Sequence, residues 1–352
     1  MDMSYSINSA VNMMLSLILR HRDNLLFAMS FCLGGGGAWF VSRTPIRSLL
    51  MNMPDERSSH SVPVPRGGGL GIFLAVILAG LALKVPAHFL FPALFVSLVS
   101  FYNDFFQLSV RARLIIQFVA AIAMLFPSLT YMMPPNSTVS AIFTVLIFCF
   151  MVLFIVGTAN FYNFMDGING IAGISGAVAF FLTGYFSTVQ GNDPYFKDLS
   201  VFSFCIAFAC LGFLPFNVPK ARVFLGDIGS ILLGFLFAGF VIKLSHNILD
   251  FITMAAFLFS FYVDELTTMW VRIRDGERLG EPHRRHLYQL LANEYRWPHW
   301  KVSLLYGTAQ AFIALTIIFV RSWGILFVLA LLAFYFMVFT CVSFYYRRTI
   351  AA

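Results

Sequence analysis

Charge is the scarcest property of this sequence. Of its 352 residues only 11% are Asp, Glu, Lys or Arg, while 59% are hydrophobic and the mean hydropathy is +0.82. Soluble domains carry about 25% charged residues, so a water-soluble globule is excluded. Paired cysteine spacing is missing as well. Cys32, Cys149, Cys205, Cys210 and Cys341 all fall inside apolar runs, which points away from a disulfide framework or a zinc site and leaves them as packing residues. No His-Glu-x-x-His pair occurs. The N-terminus lacks the basic start, short apolar core and small-residue cleavage site of a secretory signal, so the first apolar run is read as retained.

What the chain has in quantity is apolar runs able to cross the roughly 30 Å hydrocarbon core of a bilayer as helices. They lie at residues 25–41, 69–83, 88–102, 114–133, 139–158, 168–189, 201–216, 228–242, 248–270, 302–319 and 323–346. The expected fold is therefore an all-α polytopic integral membrane protein with 10–11 transmembrane helices. An N-terminal segment, 1–24, with an interfacial helix over 11–19, precedes one transmembrane domain over 25–346 and a tail over 347–352. Its expected cytoplasmic loops lie near 43–67, 103–113, 159–168, 217–227 and 271–300. The net charge of +7 does not indicate nucleic acid, because Lys and Arg are spread through short loops instead of gathered in one patch. With the segment after the first span cytoplasmic, 16 of the 23 Lys and Arg fall inside, six outside and Lys301 at a border, the asymmetry that orients membrane proteins.

Eleven of the 16 acids fall on that same side, and acids contribute little to orientation. Asp104, Asp166, Asp227 and Asp264 each stand at or just inside the cytoplasmic end of a span, in four connections that a bundle can bring together. Taken singly, each reads as well as a solvated loop acid or a helix cap. Four ionisable groups at such depth, each in a polar stretch, favour a shared site on the cytoplasmic face.

The stretches around them are specific. "NFYNFMDGINGIAGISG", residues 160–176, places three asparagines, one acid and several glycines between two apolar runs. "DERSSHSVPVPRGGGLGI", 55–72, ends in a glycine run whose backbone N–H groups can face an anion, although close helix packing explains such a run equally and is the reading for Gly34–Gly37. "FYNDFFQLSVRARLIIQ", 101–117, sets Asn103 and Asp104 across a short loop from Arg111 and Arg113, suited to a metal and a phosphate or to a loop salt bridge. "RVFLGDIGS", 222–230, holds Asp227 between Gly226 and Gly229 at a helix opening, with Asn217 and Phe224 before it, and offers a hard oxygen ligand of the kind Mg2+ takes. "RIRDGERLGEPHRRHLYQLL", 272–291, carries His283, Arg284, Arg285 and His286 in a row, which suits a diphosphate or a loop that sets topology. Carboxylates, amides and glycines beneath a basic loop suggest phosphoryl chemistry on a lipid.

Five of these motifs, "ERSSHSVPVPRGGGLGI", "YNDFFQLSVRARLIIQ", "NFYNFMDGINGIAG", "NVPKARVFLGDIGS" and "PHRRHLYQLL", resemble in matching order the polyprenyl-phosphate N-acetylhexosamine-1-phosphate transferase family, integral-membrane glycosyltransferase family 4. The resemblance implies that undecaprenyl phosphate attacks the β-phosphorus of a UDP-N-acetylhexosamine, releasing UMP and leaving an undecaprenyl-diphosphate sugar, with Mg2+ required and Mn2+ a substitute. It implies Asp227 as the principal metal ligand, with Asp104 beside it for metal or phosphate positioning. Asn163 and Asp166 would stand around nucleotide and metal, and Asn217, Phe224 and Gly226 beside the uracil. Arg111 would bind phosphate, and His283, Arg284, Arg285 and His286 would lie over the diphosphate, with Asp104, Asp166 and His286 as the catalytic set. The location implied is the bacterial inner membrane, and a homodimer is left open.

Two departures stand out. Many members carry an Asp-Asp pair where this chain has Asn103–Asp104, and a second acid where it has Asn169; an impaired enzyme is one reading of that difference. "PHRRHLYQLL" is similar to the branch that initiates O-antigen and capsule synthesis, which implies UDP-GlcNAc or a deoxy relative as donor. A polytopic transporter or flippase is the alternative from another class, although the acids gather at one face and no internal repeat relates the halves. A CDP-alcohol phosphatidyltransferase would need further spaced acids after "DG", which "DGINGIAGISG" does not offer.

Overall fold

The computed structural model describes residues 3–54, 59, 62–106, 108–132, 138–190, 194–281 and 283–351. Each of the eleven apolar runs carries helix. In chain order the helices are α1 (Met3–Arg43), α2 (Ile46–Leu49), α3 (Leu70–Ala82), α4 (Ala87–Phe106), α5 (Val110–Met132), α6 (Thr138–Phe164), α7 (Ile171–Gln190), α8 (Pro194–Asn217), α9 (Asp227–Leu244), α10 (Ile248–Ala255), α11 (Phe259–Arg274), α12 (Leu287–Gln289), α13 (His299–Val320) and α14 (Ile325–Ala351). Among the described residues nine of these are long and apolar enough to cross a membrane.

Two of the eleven runs fall short of that standard for different reasons. Helix α3 has 13 residues, about 20 Å at 1.5 Å per residue. The run at 248–270 is broken, with a tight turn at Ala256–Leu258 separating α10 from α11. It holds neither Pro nor Gly, the usual sequence marks of a kink, and the break shows in the structure, where α13 and α7 pack against the turn. At the other end, α1 is continuous from Met3 through the boundary expected at 24, and its apolar span runs from Arg20 to Arg43.

Helix α9 forms the axis of the bundle. It is apolar on every side, and a helix hydrophobic all round is an interior helix. Every residue from 228 to 241 is buried, chiefly by α4 and α6. In contrast, α14 exposes Leu326, Phe327, Phe334 and Met337 along its length, the surface a lipid-facing helix presents. Small polar side chains join the helices inside the bundle: Ser97 donates to the Ile228 carbonyl at 2.7 Å and Gln310 to that of Ser175 at 2.9 Å, as expected where no water competes.

The glycines of α1 act as packing surface. A Cβ on Gly34 would fall inside the Ala209 carbonyl of α8, 2.8 Å from its carbon, and one on Gly37 would collide with the backbone of Gly71 on α3. Backbone cannot move aside as a side-chain tip can. Gly34→Ala is therefore expected to separate α1 from α8 and cost about 1–3 kcal/mol, read as a lower thermal midpoint in detergent; an unchanged midpoint would show that this helix pair adjusts freely.

Candidate active site

A short antiparallel ribbon organises one wall of the site. Strand β1 (Met51–Asn52) pairs with β2 (Val64–Pro65) in the register Met51↔Pro65 and Asn52↔Val64. Its pairing continues across the bundle: the Phe224 N–H donates to the Pro65 carbonyl, and the N–H groups of Gly68 and Gly69 to the carbonyls of Phe224 and Leu225, all at 2.8 Å. The glycine-run amides considered for an anion are thus occupied at Gly68 and Gly69. Their glycines serve close approach instead, since a Cβ on Gly69 would stand 2.5 Å from the Gly229 Cα. Gly226 adopts φ +77, and a Cβ there would meet the Gly67 nitrogen at 2.7 Å and Asp104 Oδ2 at 3.1 Å. Glycine alone meets both demands, and it delivers Asp227 to the start of α9.

Between this wall and the α6–α7 connection lies a polar cavity of about 230 Å³. Asp166 and Asp227 line it, and Asp104 approaches from the end of α4, with the Asp227 N–H 3.5 Å from Asp104 Oδ1. Asp227 Oδ2 accepts from Asn103 Nδ2 at 2.9 Å and lies 3.8 Å from an Arg113 guanidinium nitrogen. Three of the four expected acids are therefore brought together. The Asp166 carboxyl, although open to the cavity, is pushed well above the usual carboxylate range, first by burial and then by the Asp227 charge; Arg66 opposes the shift and Asp104 adds to it.

Asn163, Phe224 and Gly226 line the same cavity. So does the buried Asn217, but its amide is engaged at both ends: Oδ1 accepts from the Gly170 N–H at 2.5 Å and Nδ2 donates to the Val223 carbonyl at 2.9 Å. It clamps the α6–α7 loop to the α8–α9 loop.

The remaining expected residues lie elsewhere. Arg111 is exposed and outside the cavity, whereas Arg113 faces Asp227. Two residues along a helix turn the side chain by about 200°, so only one of this pair can face the site. Asp264, the fourth acid, is fully buried behind the cavity. Its Oδ1 accepts from the Leu287 N–H at 2.9 Å and Thr268 Oγ1 at 3.2 Å, and its Oδ2 from Tyr306 Oη at 2.6 Å and the Tyr288 N–H at 3.3 Å. It anchors the opening of α12. Tyr288 then donates from Oη to the Phe164 carbonyl at 2.9 Å, reaching the loop that bears Asp166.

None of His283, Arg284, Arg285 and His286 lines the cavity. Arg285 pairs with Asp275 at 2.6 Å and with Glu277, and Arg284 lies 3.5 Å from Glu294. His286 is buried, with Nε2 3.4 Å from Glu265 Oε2. Both histidines are pulled down to about 3, His283 by burial and then the neighbouring His286, and His286 by burial and then Arg347 and Arg272. They are neutral near pH 7. Arg284 and Arg285 are paired within the loop, and the cluster expected over the diphosphate lies outside the cavity around α12, from which Gln289 reaches it. Asn52, Ser59 and Arg66 also line it and were not singled out from the sequence. For Arg66 the sequence signal is its place immediately before the glycine run in "PVPRGGG".

Comparison with known proteins follows the same geometry. Residues 87–245, which hold Asp104, Asp166 and Asp227, match the profile described as glycosyl transferase family 4. Curated relatives agree. A phospho-N-acetylmuramoyl-pentapeptide-transferase of Halalkalibacterium halodurans is 28% identical over 49% of this chain and 51% of its own length. An undecaprenyl-phosphate alpha-N-acetylglucosaminyl 1-phosphate transferase of Thermotoga maritima is 29% identical over 53% and 55%. Over residues 87–245 the chain is similar to glycosyl transferase family 4. A decaprenyl-phosphate N-acetylglucosaminephosphotransferase of Mycobacterium tuberculosis, 27% identical, matches over 72% of both chains. The chain spans about half the length of the first two relatives named.

Against that similarity the two asparagine departures now have surroundings. Asn103 donates to Asp227 and its Oδ1 accepts from the Leu108 N–H at 2.8 Å, a donor role that an ionised Asp cannot fill. Asn169 stands outside the cavity, its Nδ2 3.3 Å from the Pro219 carbonyl and its own carbonyl accepting from Ser303 Oγ at 2.8 Å. Asn103→Asp is expected to lower turnover roughly 10-fold, as loss of a partner that orients a ligand does; a gain in turnover would show instead that the native chain lacks a useful acid.

The donor set fits a hard divalent cation. Asp104 Oδ2 is buried without a hydrogen-bond partner, beside Asp227 and within the field of Asp166. Among the described residues no three His, Cys, Asp or Glu side chains form a complete cage, and Mg2+ is commonly held by one or two carboxylates together with substrate phosphates.

Proposed function

We propose that this chain transfers an N-acetylhexosamine-1-phosphate from a UDP-sugar to undecaprenyl phosphate at the cytoplasmic face of the bacterial inner membrane. A phosphate oxygen of the acceptor lipid forms the new bond to the β-phosphorus, the bond to the UMP oxygen breaks, and UMP leaves. The observation that carries the reading is the gathering of Asp104, Asp166 and Asp227 with Arg66 around one polar cavity, at the helix ends rather than at mid-bundle. The relatives named above, each a phosphosugar transferase and two of them named for a polyprenyl phosphate, point the same way.

Asp227 and Asp104 would hold Mg2+, with Mn2+ a substitute and Asp166 beside them, and the ion would supply charge neutralisation on the diphosphate. Arg66, the cavity's guanidinium, faces the transferred phosphate. Asn163 and Phe224 border the space for the nucleotide base, and Asn217 keeps the two loops at a fixed spacing. A lipid phosphate is largely ionised near neutral pH, so positioning and charge compensation, not proton removal, are the main tasks of these side chains. The His-Arg-Arg-His loop resembles the O-antigen and capsule branch, and the donor we favour is UDP-GlcNAc or a deoxy relative.

Purified protein in nanodiscs with undecaprenyl phosphate, offered a panel of UDP-N-acetyl sugars, is expected to release UMP and form lipid-linked sugar with one donor preferred. Movement of substrate across liposomes without UMP release would replace this reading by a transporter.

A further inference from the structure

A second groove, of about 810 Å³, lies between the end of α11, the loop 275–286 and the end of α14. We propose that it binds the phosphodiester headgroup of an anionic phospholipid of the surrounding bilayer, at a site separate from that of the acceptor lipid.

The charge in the groove is strongly unbalanced. Arg274, Arg285, Arg347 and Arg348 line it, against the single carboxylate of Asp275. Asp275 is shared by Arg274 at 3.0 Å and Arg285 at 2.6 Å, and Glu277 lies behind Arg285. Even counting Glu277, four guanidinium groups face two carboxylates. Arg347 has hydroxyl partners, Ser343 Oγ at 3.1 Å and Thr268 Oγ1 at 3.0 Å, and among the described residues no carboxylate lies within ion-pair distance of it or of the exposed Arg348. Arg347 feels the Asp264 carboxylate only across Thr268, which accepts from the guanidinium and donates to the acid, so the uncompensated charge lies mainly with Arg274, Arg285 and Arg348, and guanidinium groups suit phosphate oxygens.

The rest of the groove is apolar. Phe344, 6.0 Å beneath the Arg274 guanidinium, lines it together with Tyr345. Below them α14 exposes Met337, Phe334 and Phe327 to the bilayer. Phosphate oxygens therefore meet arginines where acyl chains can run along α14, and basic pockets between membrane helices recurrently hold anionic headgroups in this way. Free phosphate would have no use for the apolar wall. The two cavities share no lining residue, which separates this groove from the acceptor's reacting phosphate. They are nevertheless linked through the chain: Arg285 adjoins His286, and Gln289 one turn later lines the candidate active site.

Native mass spectrometry of the purified full chain, with phosphatidylglycerol or phosphatidylcholine titrated into neutral detergent, tests the site without reference to any transferase activity. One phosphatidylglycerol is expected to be retained per chain. Arg274→Gln with Arg348→Gln, both away from the active-site cavity, should weaken retention roughly 10- to 30-fold, and Arg348→Gln alone, at an exposed helix end that covers the case of a misfolded double variant, roughly 5-fold. Neither inorganic phosphate nor undecaprenyl phosphate should displace the lipid. Equal retention by native chain and variants, or of phosphatidylcholine and phosphatidylglycerol, would overturn the proposal. Displacement by inorganic phosphate would make it a plain anion site, and displacement by undecaprenyl phosphate part of the acceptor site; either result rejects the proposal.

Discussion

Asp227→Asn is expected to reduce UMP release on the order of 10³-fold, the upper range for loss of one group that stabilises a transition state. The expectation rests on position. Asp227 opens α9, which is held in place by its burial on all sides, and its Oδ2 is set by Asn103 at 2.9 Å within a cavity shared with Asp166. Asparagine keeps the shape but replaces an acceptor-only anion with one oxygen and an NH2 group that would face the Asn103 amide. The fold should barely notice, because an acid at a helix N-terminus contributes only about 0.3–1 kcal/mol. Activity and thermal midpoint, measured on the same membranes, should therefore separate. Substantial activity in the variant would remove Asp227 from the reacting centre.

Asp264→Ala should do the reverse, acting on order first and on turnover through it. The carboxylate receives four hydrogen bonds in a fully buried setting, two of them from backbone N–H groups of α12. Removing it strands those donors, and each buried unsatisfied group costs about 1–3 kcal/mol. The loss should exceed about 3 kcal/mol and reach the cavity through Tyr288 and Gln289. Amide hydrogen exchange across 284–291 is expected to accelerate and turnover to fall by roughly 10- to 100-fold. Asp264→Asn, with one accepting oxygen left, should lie between native and Ala. If exchange stayed slow while activity vanished, Asp264 would be acting on the chemistry rather than on the scaffold.

These two acids also mark how far the sequence could be read. Both stand at polar interruptions of apolar runs, and both were grouped with Asp104 and Asp166. Asp227 could be placed because its neighbours Asn217, Phe224 and Gly226 are local in the chain, and local spacing survives folding. Asp264 could not, since its partners Leu287, Tyr288 and Tyr306 lie 23 to 42 residues away and nothing in its helix announces them. The basic loop was misleading for a related reason: composition shows four potentially cationic side chains, but not that Asp275, Glu277 and Glu294 neutralise its arginines or that burial discharges its histidines. Arg111 and Arg113 look interchangeable in a line of letters, and the rotation of α5 separates them. The helices themselves were legible, because hydropathy integrates over twenty residues and tolerates error, whereas the break inside 248–274 leaves no Pro or Gly to betray it.

The double engagement of Asn217 bears on any attempt to exchange donor preference between relatives. Its Oδ1 reads the backbone at Gly170 and its Nδ2 the backbone at Val223, so one amide, beside the longer Asn169 contact to the Pro219 carbonyl, registers the two loops flanking the cavity to each other. A chimera that imports one loop alone brings a backbone whose carbonyl or N–H must still meet the host's asparagine at the correct depth. Segments 163–170 and 217–227 would therefore have to travel together as one cassette, with the clamp that spaces them.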